Sequence, residues 1–314
     1  MDWLPADVLR ATEQLDLSLH VASVPTIDTL VARTVLFRGK RFRPLLCFLM
    51  GSFFGRTLEE LAPYARAAEF VHAATLAHDD VIDESLKRRH NPTLNARVGN
   101  VRAVLIGDVL LSRVMVELSQ LGNLHLIARL SETVEDLVVG EWLQLEARGQ
   151  VSISRLHLEH VAQKKTASLM RWVSRVGAHL AGASHQHEQW CADVGGVFGV
   201  AFQMIDDILD MTQDGEKPFC QDLREGLVNV VVFEMLETSP ELKKPIAALL
   251  GQCTDVWPWT DAQLEHAKNQ VRQQVAWKLA ALDERLDALA DFAVRSDAVQ
   301  SLRGIAQYLR ERIT

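Results

Sequence analysis

Cysteine is scarce, and its spacing excludes more than its number does. Cys47, Cys191, Cys220 and Cys253 are spread over 314 residues and form no CxxC pair. That pattern is no disulfide framework; it fits buried packing residues in a reducing cytosol. Excess positive charge is also missing. The 33 Lys and Arg against 41 Asp and Glu give a formal net charge of −8. This argues against bulk binding to nucleic acid or anionic membrane, but not against a local basic site for a small anion. Long apolar runs are absent too. A stretch such as "LLCFLMGSFFG" is far shorter than the ~20 residues of a membrane helix. The start, "MDWLPADVLRATEQ", is acidic at residue two and lacks a signal-peptide pattern. The expectation is a cytoplasmic protein with no transmembrane segment.

Glycine and proline are sparse, at 17 and 9. Few segments alternate apolar and polar residues as half-buried strands do, and helical spacing recurs instead. "TLEELAPYARAAEFVHAATLAHDD" opens on Thr57 and Glu60, a capping-box pair, before apolar positions at Leu61, Ala65, Ala68 and Val71. "SPELKKPIAALL" offers Ser239 as N-cap and Pro240 as first helical residue. Thr260 and Gln263 form a second capping-box pair, and "SDAVQSLRGIAQYLRERI" reads as an amphipathic helix. The valine run at 228–232 is the one strand-like spot, and it too reads as helix. No linker or solenoid repeat divides the chain. The prediction is one all-α domain over residues 1–314.

One internal echo stands out. "DDVID" at 79–83 recurs as "DDILD" at 206–210, each after apolar helical text. Residues three and four apart share a helix face, so Asp79, Asp80 and Asp83 are expected to project together, as are Asp206, Asp207 and Asp210. Like charges near a helix C-terminus repel one another and oppose the helix dipole. A hard divalent cation removes that cost, and Mg²⁺ is commonly shared between carboxylates and a substrate phosphate. The alternative is an exposed acidic helix end; the second copy weighs against it. Neither copy has the glycine and spacing of a calcium loop.

Basic motifs accompany the acidic ones. "GKRFRP" at 39–44 supplies Lys40, Arg41 and Arg43; "KRR" at 87–89 follows the first cluster; "KKT" supplies Lys164, Lys165 and Thr166; Lys217 follows the second cluster. Arg and Lys suit phosphate oxygens. Taken singly, any of these pairs is a solvated face; their alternation with acidic motifs favours one shared anion site.

These motifs resemble the trans-isoprenyl diphosphate synthases, the polyprenyl synthetases. The resemblance runs from about residue 39 to about residue 226 and rests on "GKRFRP", "HAATLAHDDVIDESLKRRHNPT", "VLIGDVLLSR", "GEWLQLE", "KKTASLM" and "GVAFQMIDDILD", in that family's order. It implies an all-α bundle around a deep central cavity, usually dimeric. It implies that Asp79, Asp80, Asp83, Asp206, Asp207 and Asp210 hold Mg²⁺ against an allylic diphosphate, with Arg88, Lys165 and Lys217 on the same diphosphate. Lys40, Arg43, His72 and Arg89 would hold isopentenyl diphosphate. Thr166 and Gln203 would stabilise the allylic cation, with Phe202 near the second substrate. His72 taken alone is better read as a core histidine; its place seven residues before Asp79, two turns along one face, favours the binding role that the resemblance implies.

In that family the product grows beside the helix bearing the first aspartate motif. Here Thr75, Ala74 and Val71 precede Asp79 with no bulky stop. At ~5.4 Å per turn this predicts an all-trans product of about C30 to C50, centred near about C40. The product would suit delivery to a membrane. Two family positions depart: a glycine has become Cys220 and a lysine Leu227, in a segment expected to cover the diphosphates. The alternatives are a short-chain synthase of about C15 to C20, a terpene cyclase, and a non-catalytic lipid-binding subunit of a heteromeric synthase.

Overall fold

The computed structural model describes residues 3–312 other than 20, 22–23, 33–35, 38, 89–90, 213–218, 253 and 291–292, with the backbone alone at 288–290. The helices in chain order are α1 (Ala6–Glu13), α2 (Pro25–Ala32), α3 (Phe42–Phe53), α4 (Leu58–Ile82), α5 (Leu94–Val98), α6 (Asn100–Leu121), α7 (Leu124–Ala147), α8 (Arg155–Val161), α9 (Ser168–Leu180), α10 (His185–Asp210), α11 (Gln221–Arg224), α12 (Val230–Thr238), α13 (Lys243–Leu249), α14 (Asp261–Ala290) and α15 (Ser296–Glu311). A π-helical turn, Ala162–Ala167, joins α8 to α9. Two short strands, β1 (Lys87–Arg88) and β2 (Asn91–Pro92), pair antiparallel. The all-α expectation is borne out. No helix among the described residues is long and apolar enough to cross a membrane.

The chain divides into two compact units. The first comprises Met1–Val134, Trp172–Ala192 and Ala290–Ser301; the second comprises Glu135–Arg171, Asp193–Leu289 and Leu302–Thr314. In the first unit, α4 packs on α3 and α6. Its start is the expected capping box: Glu60 N–H donates to Thr57 Oγ1 and Thr57 N–H to the Glu60 carboxylate. Half of its buried positions are alanine (Ala65, Ala67, Ala68, Ala73, Ala74, Ala77), which lets backbones approach closely, and Phe48, Phe53 and Phe70 are fully buried beside them. Two glycines meet where α3 and α9 touch: a Cβ on Gly177 would lie 2.3 Å from the Gly51 Cα.

In the second unit, α14 opens on the Thr260–Gln263 capping box. It buries Val271, Val275, Leu279, Leu282 and Leu286 on one face. Asn229 caps α12 by accepting the Val231 and Val232 N–H groups, so the valine run enters a helix from its third residue. The segment after Ser239 differs from expectation. Pro240–Leu242 is a 3₁₀ turn, and the α-helix starts at Lys243. Pro245 has no N–H for the Glu241 carbonyl, so an α-helical first turn could not close there.

Candidate active site

The first acidic cluster lies in the first unit, at the end of α4. Its three carboxylates do not project together. Neighbouring helical residues are about 100° apart, so Asp80 turns inward and is 1 % exposed, while Asp79 and Asp83 stay half-buried. Asp83 is the C-cap, its N–H bonded to the Asp79 carbonyl. The chain then turns through Glu84, at φ +51°, into the β1–β2 hairpin, which returns Arg88 to the helix end. Arg88 donates through Nε (3.1 Å) and Nη2 (2.9 Å) to Asp80 Oδ1. Asn95 Nδ2 donates to the Asp80 carbonyl and Thr93 Oγ1 to the Ser85 carbonyl, which ties Thr93 and Asn95 back to the end of α4 and the turn after it. Burial raises the Asp80 pKa above the usual carboxylate range, and the Arg88 guanidinium opposes that rise. Asp80 Oδ2 is buried with no hydrogen-bond partner.

The accessible stripe of α4 runs through His72, Thr75, Leu76 and Asp79, at helical spacing, all half-buried. Of the three proposed chain-length residues, Thr75 lies on this stripe, whereas Val71 and Ala74 are fully buried. The "GD" of "VLIGDVLLSR" belongs to the same corner. A Cβ on Gly107 would lie 2.2 Å from His78 Nε2, so glycine lets α6 pass beside the residue before Asp79. Of the first basic motif, Lys40 is exposed and Arg43 half-buried in the first turn of α3. Arg41 faces elsewhere: its Nη1 donates to the carbonyls of Thr12, Glu13 and Leu15, closing the end of α1.

The second cluster lies in the second unit, at the end of α10. Asp206 is half-buried, Asp207 is 9 % exposed and Asp210 is 2 % exposed. The expectation of a common projection fails here too. A polar chain runs into Asp207: Thr166 Oγ1 donates to Gln203 Oε1 (2.7 Å), and Gln203 Nε2 donates to Asp207 Oδ1 (2.9 Å). Val230 N–H donates to Asp207 Oδ2 at 3.2 Å. Burial, then the neighbouring Asp222 carboxylate, pushes the Asp207 pKa up to about 7. Asp210 accepts N–H bonds from Gln221 and Asp222 at the start of α11, and Asn229 Nδ2 bridges Asp210 and Asp222.

Lys165 and Thr166 sit in the π-turn. Such turns widen a helix and aim side chains a regular α-helix would not. Two glycines make room for it: a Cβ on Gly140 would lie 2.6 Å from the Lys165 nitrogen, and one on Gly199 would lie 2.5 Å from the Ala167 Cα. Both come from the motifs "GEWLQLE" and "GVAFQMIDDILD". Lys165 Nζ pairs with the buried carboxylate of Glu141 and donates to Gln144 Oε1 at 3.3 Å.

Sequence reasoning missed Arg312. Its guanidinium lies over the Phe202 ring (5.4 Å to the centroid) and 3.7 Å from Asp206 Oδ1. It sits in "RERI", where no spacing links it to residue 206. Glu141 and Asn229 were missed as well. Leu227, where a cation is expected, is buried. Cys47, Cys191 and Cys220 are buried as expected, and burial raises each thiol pKa. Arg89, Lys217 and Cys253 lie outside the described residues.

The arrangement defines an all-α protein with two acidic helix ends, one beside Arg88 and the other beside Arg312. The sequence profile of the polyprenyl synthetase family matches residues 24–260. The octaprenyl diphosphate synthase of Escherichia coli is 33 % identical over 285 residues, 82 % of this chain and 86 % of that protein. The fold superimposes on a decaprenyl diphosphate synthase of Rhodobacter capsulatus with a TM-score of 0.85 and 27 % identity, over 98 % of this chain and 97 % of that one. A polyprenyl synthase of Caulobacter crescentus, complexed with calcium and isoprenyl diphosphate, gives a TM-score of 0.77 and 26 % identity over 98 % and 94 %. The chain belongs to the polyprenyl synthetase family and is a trans-polyprenyl diphosphate synthase, a transferase.

Proposed function

We propose that the protein condenses an allylic diphosphate with isopentenyl diphosphate to build an all-trans polyprenyl diphosphate of about C30 to C50. The observation that carries the length is the accessible stripe of α4, where Thr75 and Leu76 offer no aromatic stop in the turn before Asp79. Its relatives above, an octaprenyl and a decaprenyl diphosphate synthase, support the same range.

The six aspartates are proposed to hold Mg²⁺. The donor set suits it: carboxylate oxygens, a calcium-bound relative, and in Asp80 Oδ2 a buried oxygen with no hydrogen-bond partner. Bound Mg²⁺ would neutralise the charge that develops on departing diphosphate. Arg88 and Lys165 add fixed cations for the same anion, and Lys217 is proposed to join them. Lys40, Arg43, His72 and Arg89 are proposed to hold isopentenyl diphosphate. Thr166 and Gln203, hydrogen-bonded to each other, are proposed to stabilise the cation left on the prenyl chain, beside Phe202. We further propose a homodimer through α6, whose outer face carries Val101 (75 % exposed), Leu105 (56 %) and Val116 at four-residue and longer helical spacing. The expected setting is cytoplasmic.

Purified protein incubated with Mg²⁺, farnesyl diphosphate and labelled isopentenyl diphosphate tests this directly. The expected result is a chain of about six to ten isoprene units, each about one helical turn in length. A single condensation, or cyclised hydrocarbon, would refute the length or the reaction. Light scattering of the same sample reads the dimer.

A further inference from the structure

We infer a second metal site, distinct in chemistry from the aspartate clusters, built by His125, His179 and Glu188. The three come from three helix ends of the first unit. His125 is in the first turn of α7, His179 in the last turn of α9, and Glu188 in the first turns of α10. His125 Nε2 lies 2.9 Å from Glu188 Oε1, and His179 Nδ1 lies 3.3 Å from Glu188 Oε2. The three ligand atoms all fall within 4.8 Å of one another. A tetrahedral ion with metal–ligand bonds of about 2.1 Å needs its ligands about 3.4 Å apart. The cluster is therefore close to ligand spacing without backbone movement.

The scaffold around it is fixed. Trp172 is buried, and its indole N–H donates to the Leu126 carbonyl at 3.0 Å, which locks α9 to α7 beside His125. Asn123 caps α7 through the Leu126 N–H, and Ser184 Oγ accepts the His187 N–H at the start of α10. Glu188 is largely buried. The two imidazoles stack nearly parallel, 6° apart with centroids at 4.2 Å. Parallel rings cannot aim both lone pairs at one ion, so one ring must turn about its soft terminal torsion, which costs little. In the ion-free form Glu188 bridges the two rings, and these hydrogen bonds draw its pKa down against the burial that raises it.

The donor set names the metal class. Two imidazoles and one carboxylate suit zinc or a similar borderline ion, with a fourth position left for water. Arg175 comes 3.9 Å from Glu188 Oε1, so the site has no excess negative charge. That disfavours Mg²⁺ and Ca²⁺, which depend on charge, and leaves ions that bind imidazole by affinity. An ion here would pin three helix ends together, a structural role separate from prenyl transfer.

The test uses the full chain, stripped with chelator and returned to excess Mg²⁺ so that hard-ion sites are filled. Titration with Zn²⁺ at neutral pH should show one equivalent bound per chain and a rise in unfolding temperature. Uptake should persist in Asp206→Ala. His179→Gln and Glu188→Gln should each weaken uptake at least about tenfold. His125→Ala, a half-exposed change at a helix start, covers the case in which the more buried variants fail to fold. Co²⁺ in place of Zn²⁺ should give the visible absorption of a low-coordinate ion in wild type and not in His125→Ala. No uptake by the wild type, or undiminished wild-type uptake by both His125→Ala and His179→Gln, overturns the site.

Discussion

The two acidic helix ends are spelled almost alike but are held in different ways. In "DDVID" the buried middle residue, Asp80, is answered by an arginine that a hairpin carries back to it. In "DDILD" the buried middle residue, Asp207, is held by an amide side chain and a backbone N–H, both neutral. The last residue differs as well. Asp83 closes its helix as a C-cap, whereas Asp210 accepts the N–H groups that start α11. One motif therefore carries an internal counter-charge. The other presents a carboxyl group that burial and the neighbouring Asp222 keep partly protonated near neutrality. Identical spacing therefore does not give identical surroundings or charge states.

The largest expected effect tests whether both ends are needed. Asp79→Ala and Asp206→Ala should each lower kcat by orders of magnitude, with the far-ultraviolet circular dichroism unchanged, because both side chains are half-buried and pack little. EDTA should abolish wild-type turnover. Full activity in either variant would mean that one cluster suffices and that the repeat is structural.

The helices leading to the two clusters also differ. α4 approaches Asp79 with Thr75 and Leu76, whereas α10 approaches Asp206 with Phe202 beneath Arg312. Thr75→Phe places a ring on the accessible stripe and should shorten the product to about C15 to C20, one or two turns of chain growth, with a near-normal first condensation. Ala74→Phe should shorten it too. Ala74 is fully buried, so that ring must also displace neighbours and cost about 1–3 kcal/mol of stability. Product sizing and urea unfolding of the pair separate the two effects. Wild-type product from both variants would place chain growth elsewhere.

Burial raises both Asp80 and Asp207, and the rise at Asp207 predicts a pH effect at the second cluster. The folded pKa of Asp207, about 7, lies above that of an unfolded aspartate, about 3.9. Its stabilising contribution is therefore fully present below about pH 4 and is lost as pH rises to about 7. Metal-free wild type should lose stability relative to Asp207→Asn across that window, by about 2 kcal/mol once sharing with Asp222 is allowed for. Near pH 6.5 the wild type should release protons on binding Mg²⁺, and Asp207→Asn should release fewer; an indicator dye reads both. Parallel stability curves for the two proteins would show that Asp207 is ionised throughout.

Deleting the partner of each buried carboxylate sharpens the contrast. Arg88→Ala leaves Asp80 buried without its cation and should cost about 2 kcal/mol, less than a fully buried pair because Arg88 is about a third exposed. Gln203→Ala removes a neutral donor from Asp207 and should cost about 1 kcal/mol. Urea midpoints of the two variants give the order. The reverse order would mean that the amide chain from Thr166, not the hairpin arginine, is the stronger support.

How much of this could be read from the letters follows from what each feature depends on. Capping boxes at Thr57 and Thr260 are local, and both formed as expected. The all-α fold was legible because helical spacing recurs along the chain and is itself a local pattern. The inward turn of Asp80 and Asp207 was not legible. A helix wheel assigns faces, but which face meets the core is set by distant packing. Arg312 and Glu141 were hidden for the same reason, each meeting its partner across more than twenty residues of sequence. Gly107, Gly140 and Gly199 lay in quoted motifs without a role, since close approach of another helix leaves no mark in sequence.

The smallest effect concerns the residue that turns the chain after each cluster. Glu84 and Cys220 both adopt left-handed backbone, at φ +51° and +58°. A side chain there costs about 1 kcal/mol relative to glycine. Glu84 is exposed, so Glu84→Gly should be more stable than Glu84→Ala by about that amount, and nothing else is lost. Cys220 is fully buried, with its thiol 3.5 Å from Met211 Sδ and its N–H on the Asp210 carbonyl. Both Cys220→Gly and Cys220→Ala lose the sulfur contact, but only glycine relieves the backbone. Glycine should again exceed alanine, by about 0.5–1 kcal/mol, while both fall below the wild type. Thermal unfolding of the four variants measures this. If alanine matched or exceeded glycine at residue 220 alone, α11 would have shifted to relieve the strain, and the Asp210 bonds that hold it would be weaker than the short N–H contacts imply.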